Sequence, residues 1–339
     1  MKDKVTMQDI AERLNLSKNS VSQALSGKDG VSEDTRKLIV ETANQMGYVY
    51  SSSLRSPAPA AQRNGTIALI ASDFAFSMKS FFGEIYLTVE QEATARGMNL
   101  QIQSISQKAA EQLLIPGILQ NPSVEGVLIL SHITTDYINS IIATGKPTVL
   151  IDHHHPYIQA DSILTNNRFS AFEAIHHLAQ LGHRKIGMLG NTSLSPSYYE
   201  RSEGFQLAMN EFGLPVREEW ILKDAEESAG YILKSIQSLK EQPSAWFCMN
   251  DGLGFLLCST LQQLGVRVPE QVSIVSFDNG YLSQISTPTI TTMDVNLKLY
   301  GHKAVEQLMW RIDHPNEPFT ELLLPTKLLV RQSTGPAPE

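Results

Sequence analysis

The stretch Val5-Thr6-Met7-Gln8-Asp9-Ile10-Ala11-Glu12, continued by Leu16-Ser17-Lys18-Asn19-Ser20-Val21-Ser22-Gln23-Ala24-Leu25-Ser26-Gly27, decides how the N-terminal part of this chain folds. Thr6 and Ser17 each stand just ahead of an apolar-periodic segment, where a hydroxyl can accept from amides that the first helical turn leaves without partners. Asp9, three residues after Thr6, completes a capping-box spacing, and Ile10, Ala11 and Leu14 give the first helix one apolar stripe. Asn15 falls where a tight turn needs a left-handed residue, so two short helices are joined by a tight turn. Val21 and Leu25 supply the buried face of the second helix. A third follows, capped by Ser32, with Val31, Leu38, Ile39 and Ala43 as its expected core side and Gly47 as its C-terminal cap. Residues 1–49 thus read as a three-helix headpiece.

Outward from this headpiece, residues 50–64 turn Ser-, Ala- and Pro-rich (Ser51-Ser52-Ser53, Ser56-Pro57-Ala58-Pro59), a linker composition. Beyond it, apolar runs at Thr66 to Ala71, Asn99 to Ile105, Gly126 to Leu130 and Pro147 to Ile151 alternate with helix-length amphipathic segments, the pattern of βαβ units on a parallel sheet. The pattern restarts with Lys185 to Leu189, Ala245 to Met249 and Val272 to Phe277. Residues 65–332 are therefore expected to form two α/β lobes. The N-lobe is placed at about 65–165 and 293–320, and the C-lobe at about 166–291 and 321–332.

Composition limits the possible classes. The chain of 339 residues is 42% apolar and 18% charged, without an apolar run near the roughly 20 residues that span a bilayer, and its first residues carry no secretory pattern. A cytoplasmic protein without membrane contact is expected. Cys248 and Cys258 lie in a strand and the next helix with no zinc or redox spacing, so reduced core thiols are expected. The net charge of −8 divides into +2 over residues 1–63 and −10 over the remainder, compatible with a small DNA-reading head on an acidic regulatory body.

The headpiece segments quoted above resemble those of the LacI/GalR repressors. The resemblance continues in order through Val31-Ser32-Glu33-Asp34-Thr35-Arg36, Met46-Gly47-Tyr48, Leu181-Gly182-His183-Arg184-Lys185-Ile186, Glu200-Arg201-Ser202-Glu203-Gly204-Phe205, Asn250-Asp251, Val268-Pro269-Glu270-Gln271-Val272-Ser273, Ser276-Phe277-Asp278-Asn279 and Pro288-Thr289-Ile290-Thr291-Thr292. It implies a repressor that binds a palindromic operator as a homodimer and responds to a small effector, with no cofactor and no catalysis. Lys18, Asn19 and Gln23 become base-reading candidates, with Thr6, Ser17, Ser20 and Ser22 around them for phosphate and base contact. Many members carry Arg where this chain has Gln23, and Gln suits adenine where Arg suits guanine. The hinge departs from the family pattern: Tyr50-Ser51 replaces Pro-Asn, and Pro57 stands where a minor-groove leucine is expected. Either Leu54 acts as that wedge, or the linker is a tether.

The resemblance also places an effector site between the lobes. Positions matching Asp152, Ser197, Arg201, Asn250 and Asp278 line it in sugar-responsive relatives, and two carboxylates with Arg and Asn suit the paired donors and acceptors of vicinal hydroxyls. Phe74 or Phe76 is the candidate stacking floor, with Phe82 as core. Trp220 is left out, because the family's aromatic position falls near Ala225. In the run Asp152-His153-His154-His155-Pro156, neighbours on an extended chain point in alternate directions, so one histidine entering the pocket is expected rather than a metal. Asp152 and Asp278 could be read as a hydrolase acid/base pair, but no Gly-x-Ser-x-Gly elbow or phosphate-binding glycine loop accompanies them. A carbohydrate or sugar phosphate is the expected effector, with a nucleobase or nucleoside as the alternative. No leucine heptad follows the last strand, so a dimer is expected.

Overall fold

The structure, a computed structural model, describes residues 5–25, 31–46, 65–73, 75, 81–130 and 133–338. The chain divides into two compact units, Met1–Gln62 and Arg63–Glu339.

In the first unit the described helices are α1 (Met7–Leu14), α2 (Lys18–Leu25) and α3 (Glu33–Gln45). The expected caps form. The Asp9 amide donates to Thr6 Oγ1 at 3.4 Å while the Thr6 amide donates to Asp9 Oδ2 at 2.7 Å. Ser17 and Ser32 accept from the amides of Ser20 and Thr35 at 3.0 and 3.3 Å, and Asn15 takes the left-handed conformation at φ +50°. Ile10, Ala11, Val21, Ala24, Ile39 and Ala43 form the core. Leu38 is a correction: it is 51% exposed. The buried face of α3 runs through Ile39, Thr42 and Ala43, at the spacing that stacks one helix face, and Leu38 stands off it. Arg36 reaches back to donate to the Ala24 carbonyl at 2.9 Å, tying α3 to the end of α2.

The second unit holds two six-stranded sheets. The N-lobe sheet contains β1 (Thr66–Ser72), β2 (Asn99–Ile105), β3 (Val124–Leu130), β4 (Thr148–Ile151), β5 (Asp161–Thr165) and β11 (Glu321–Leu324), in the order β11-β5-β4-β3-β1-β2. All its neighbours are parallel. The C-lobe sheet contains β6 (Ile186–Leu189), β7 (Ile221–Leu222), β8 (Ala245–Cys248), β9 (Ser273–Asp278), β10 (Thr291–Val295) and β12 (Thr326–Leu329), in the order β12-β10-β9-β8-β6-β7. Here β12 is antiparallel to β10, so the sheet is not wholly parallel.

Helices α4 (Phe82–Ala95), α5 (Gln107–Glu111), α6 (Thr135–Ile142) and α12 (Leu297–Asp313) belong to the N-lobe. The C-lobe carries α7 (Asn167–Gln180), α8 (Pro196–Glu211), α9 (Ala229–Ser238), α10 (Asp251–Gln263) and α11 (Tyr281–Ile285). The chain crosses between lobes after Thr165, Val295 and Leu324. Because β10 stays in the C-lobe to Val295 and β11 pairs with β5, the last two crossings fall a few residues later than the expected 293 and 321. Two helix pairs approach closely through glycine. A Cβ on Gly204 of α8 would lie 2.0 Å from the Arg168 carbonyl oxygen of α7, and one on Gly301 of α12 would lie 2.7 Å from Thr88 Cβ of α4.

The motif Leu181-Gly182-His183 anchors the chain's last residues. His183 is fully buried, with Nδ1 2.9 Å from Ser244 Oγ and Nε2 3.1 Å from the Gly335 carbonyl, and burial pushes its pKa down. Cys248 and Cys258 are buried free thiols, and Trp220 is core, its indole N–H donating to the Glu241 carbonyl at 2.9 Å. Phe82 is also core. Among the described residues no helix is long and apolar enough to cross a membrane.

Candidate functional site

On the headpiece, Thr6, Ser17, Lys18 and Asn19 are exposed, and Ser20, Ser22 and Gln23 are half-exposed. Apart from Thr6, the cap of α1, they lie on α2 or at its start. Two of the hydroxyls already have structural work: Ser17 Oγ lies 2.8 Å from Ser20 Oγ, and Thr6 Oγ1 lies 2.8 Å from Asp9 Oδ2. Bonds from the Thr6 amide and hydroxyl hold the Asp9 carboxyl below its ordinary range. Leu54, Phe74 and Phe76 lie outside the described residues.

In the second unit, five predicted residues stand at the carboxyl ends of strands or the start of a helix, where parallel α/β sheets place ligand sites. Asp152 follows β4 at φ +56° and is 5% exposed. Its Oδ1 accepts from Ser197 Oγ at 2.6 Å, a bond that joins the N-lobe strand end to the first turn of C-lobe helix α8. Burial pushes its pKa up to about 6, against the opposing Ser197 bond and Arg201 charge. Arg201, one turn further along α8, is 2% exposed. Its Nε donates to Asn167 Oδ1 at 2.9 Å, one terminal nitrogen donates to the Met249 carbonyl at 2.5 Å, and the other pairs with Asp278 Oδ1 at 3.0 Å. The guanidinium also lies 3.7 Å from the Phe277 ring centroid. Asp278 has φ +104°; burial raises its pKa while Arg201 opposes that shift.

Asn250 caps α10, its Oδ1 accepting from the Leu253 amide at 2.8 Å, while its amide nitrogen donates to Tyr198 Oη at 2.8 Å and Glu227 Oε2 at 2.9 Å. The sequence reading did not single out Asn167, Tyr198, Glu227 or Tyr300 as parts of this network. Tyr198 stands three residues before Arg201 on α8, a spacing that could have pointed to it. Tyr300 reaches Asp152 Oδ1 at 3.5 Å from α12, a contact between residues 148 positions apart that no local pattern carries.

A cavity of about 1080 Å³ opens beside this network, lined by Ser72, Asp73, Thr134, His153, Ser193 and Glu200 among others. None of the five predicted residues lines it; His153, Pro196 and Glu200, the chain neighbours of Asp152, Ser197 and Arg201, do, whereas no neighbour of Asn250 or Asp278 reaches the wall. All three histidines of the 153–155 run reach the wall. His154 bridges the lobes, its Nε2 3.0 Å from Glu200 Oε1 and its Nδ1 3.1 Å from Glu321 Oε1. The Glu200 bond leads in raising its pKa to about 9. Among the described residues no group of His, Cys, Asp and Glu could hold a metal ion.

The arrangement comprises a polar surface on the headpiece and, in the second unit, a cleft whose charged groups hold one another. The family model for bacterial regulatory proteins of the lacI family matches residues 6–51, and that for a periplasmic binding protein-like domain matches residues 175–334. The HTH-type transcriptional repressor PurR of Actinobacillus pleuropneumoniae serotype 3 is 31% identical over 91% of this chain and 91% of its own length. The HTH-type transcriptional regulator DegA of Bacillus subtilis is 26% identical over 98% and 99%. In structure, the regulator CelR in complex with cellobiose matches with a TM-score of 0.71 at 24% identity, covering 97% of this chain and all 100% of its own. The lac repressor dimer bound to operator and the anti-inducer ONPF matches with 0.71 at 20%, covering 98% and 100%.

The protein is a transcription regulator with a DNA-binding headpiece and an effector-binding domain, and it is not an enzyme. It belongs to the lacI family of bacterial regulatory proteins.

Proposed function

We propose that this protein is a cytoplasmic, dimeric repressor that binds a palindromic operator and is controlled by a carbohydrate effector taken up between its lobes. The observation that carries the reading is the Ser197–Asp152 bond of 2.6 Å across the cleft, with Arg201 and Asp278 ion-paired at 3.0 Å beside it. Polar groups from both lobes converge there, next to a cavity walled by residues of both lobes, so a polyol taken up in that cavity can bind one arrangement of the lobes more tightly than another. A differential affinity of that kind shifts a conformational equilibrium. Relatives and structural neighbours support the class: one is the ribose operon repressor of Haemophilus influenzae, and two were solved with cellobiose or with bound ribose. On the headpiece, Lys18, Asn19 and Gln23 read bases while Thr6, Ser17, Ser20 and Ser22 position the helix.

The test begins by selecting an operator from random duplex DNA. Its affinity for the protein is then measured by fluorescence anisotropy with and without candidate effectors. Symmetric half-sites and a ligand-dependent change in affinity are expected, together with the reciprocal change in ligand affinity that linkage demands. An operator affinity indifferent to every ligand that binds would refute the allosteric part.

A further inference from the structure

We propose that His154 and Glu200 form a proton-dependent latch between the lobes, so that shutting the cleft takes up a proton at mildly alkaline pH. This rests on the lobes having more than one arrangement, as the proposed function requires. His154 stands in the N-lobe chain just after β4, and Glu200 lies on C-lobe helix α8. The ring has a carboxylate at each nitrogen, with Nε2 3.0 Å from Glu200 Oε1 and Nδ1 3.1 Å from Glu321 Oε1. A neutral imidazole donates from one nitrogen and presents a lone pair at the other. The doubly protonated ring alone satisfies both carboxylates, so the proton and the contact across the lobes come together. Glu321, on β11 of the same lobe as His154, is a positioning residue whose bond to Nδ1 turns Nε2 toward Glu200.

Glu200 is itself held from the C-lobe. Its Oε2 accepts from Asn167 Nδ2 at 2.9 Å, Asn167 Oδ1 accepts from Arg201 Nε at 2.9 Å, and Arg201 pairs with Asp278 at 3.0 Å. His154 is thus the N-lobe end of a chain of bonds that runs into the buried polar network of the C-lobe, and a rearrangement of Arg201 bears on the carboxylate that His154 holds.

The other charged groups around the ring do not duplicate the latch. Arg168 of α7 also favours the Glu200 carboxylate, but it pairs with Glu203 of α8 at 2.6 Å, and that pair lies within the C-lobe. On the ring's own segment His153 and His155 flank it, and Asp152 bonds to Ser197. The Asp152–Ser197 bond crosses the lobes too, yet Asp152 is buried, whereas the His154 side chain is 27% exposed and exchanges protons with solvent while the cleft is shut. The Glu200 bond leads the causes that lift the His154 pKa to about 9, and opening the cleft removes that bond. The latch therefore holds at neutral pH and is lost as pH rises through about 9. Asp152 and Asp251, raised to about 6 and about 7, titrate below that window.

The test compares the full-length protein with His154→Gln, the near-isosteric Glu200→Gln and the double variant, at about pH 7.5 and about pH 9.5. In solution scattering the parent is expected to expand over that range. Each single variant is expected to be expanded at both pH values, and the double variant no more than either. A parent whose scattering ignores pH, a single variant that still expands with pH, or additive effects in the double variant each overturns the latch. Affinity for the selected operator is read as the ratio of parent to His154→Gln, in which headpiece titrations cancel. That ratio is expected to differ from one by about threefold or more at the lower pH and to return toward one at the higher. If the scattering behaves as expected and the ratio stays at one, the latch stands and the coupling of lobe closure to DNA falls.

Discussion

Replacing Arg201 by alanine is expected to destabilise the C-lobe heavily, which makes it a poor reporter of ligand contact. The guanidinium is 2% exposed and holds three partners, Asn167 Oδ1 at 2.9 Å, the Met249 carbonyl at 2.5 Å and Asp278 at 3.0 Å, over the Phe277 ring. Its loss leaves the buried Asp278 carboxylate and the Met249 carbonyl without these bonds. Breaking a buried pair from one side costs about 3–5 kcal/mol, a large part of the roughly 5–15 kcal/mol that holds a domain folded. Asp278→Asn removes the stranded charge, so in the Arg201→Ala background it is expected to cost much less than alone, a coupling of at least about 1.5 kcal/mol. Urea unfolding followed by tryptophan fluorescence measures this, because Trp220 and Trp246 are both fully buried in the C-lobe. A loss below about 1 kcal/mol for Arg201→Ala, or additive single effects, would refute the account of the pair as a structural strut.

Other consequences follow from the same geometry. Asp152, with its pKa pushed up to about 6 from an ordinary 3.8, binds more protons folded than unfolded between those values. Stability should therefore fall as pH rises from about 4 to 6, by at most about 3 kcal/mol, and Asp152→Asn should flatten that slope in urea titrations. His154 shows the usual cationic case: its stabilisation is complete below about 6.5 and is lost as pH rises through about 9. His154→Gln should remove that alkaline loss and enlarge the radius of gyration in solution scattering by loosening the lobes; unchanged scattering would count against a bridging role. Gln23→Arg should shift one symmetric base pair of each half-site from A·T toward G·C, by roughly 1–3 kcal/mol, and an identical consensus from in vitro selection would remove Gln23 from the reading set.

Local patterns made much of this protein legible. The Thr6–Asp9 capping box, the turn at Asn15 and the apolar runs of β1 to β4 and β6, β8 and β9 follow from spacings of three, four or two residues, and they formed where expected. Long-range pairing was less accessible. Strand β11, exposed at Glu321, Leu322 and Leu323, has no alternation to mark it, and its membership of the N-lobe is decided by β5 more than 150 positions away. At the site, chain motifs identified the polar residues but not what they would bond to. Arg201 is spent on Asn167, Met249 and Asp278, and the cavity wall passes to neighbours such as Glu200 and His154. Which of two adjacent polar residues faces the cavity depends on the backbone turn at Asp152, with its positive φ.

The three lobe crossings also bear on synthesis. The sheet of the N-lobe is assembled up to Thr165, yet the helix that covers one face of it through Tyr300, Ala304, Val305 and Leu308 is α12, and its edge strand is β11. On a ribosome adding about 5–20 residues per second, that face waits on the order of 10–30 seconds for its cover. A nascent chain in that interval leaves Ile67, Leu69, Leu128 and Val149 without that cover until the last part of the polypeptide emerges.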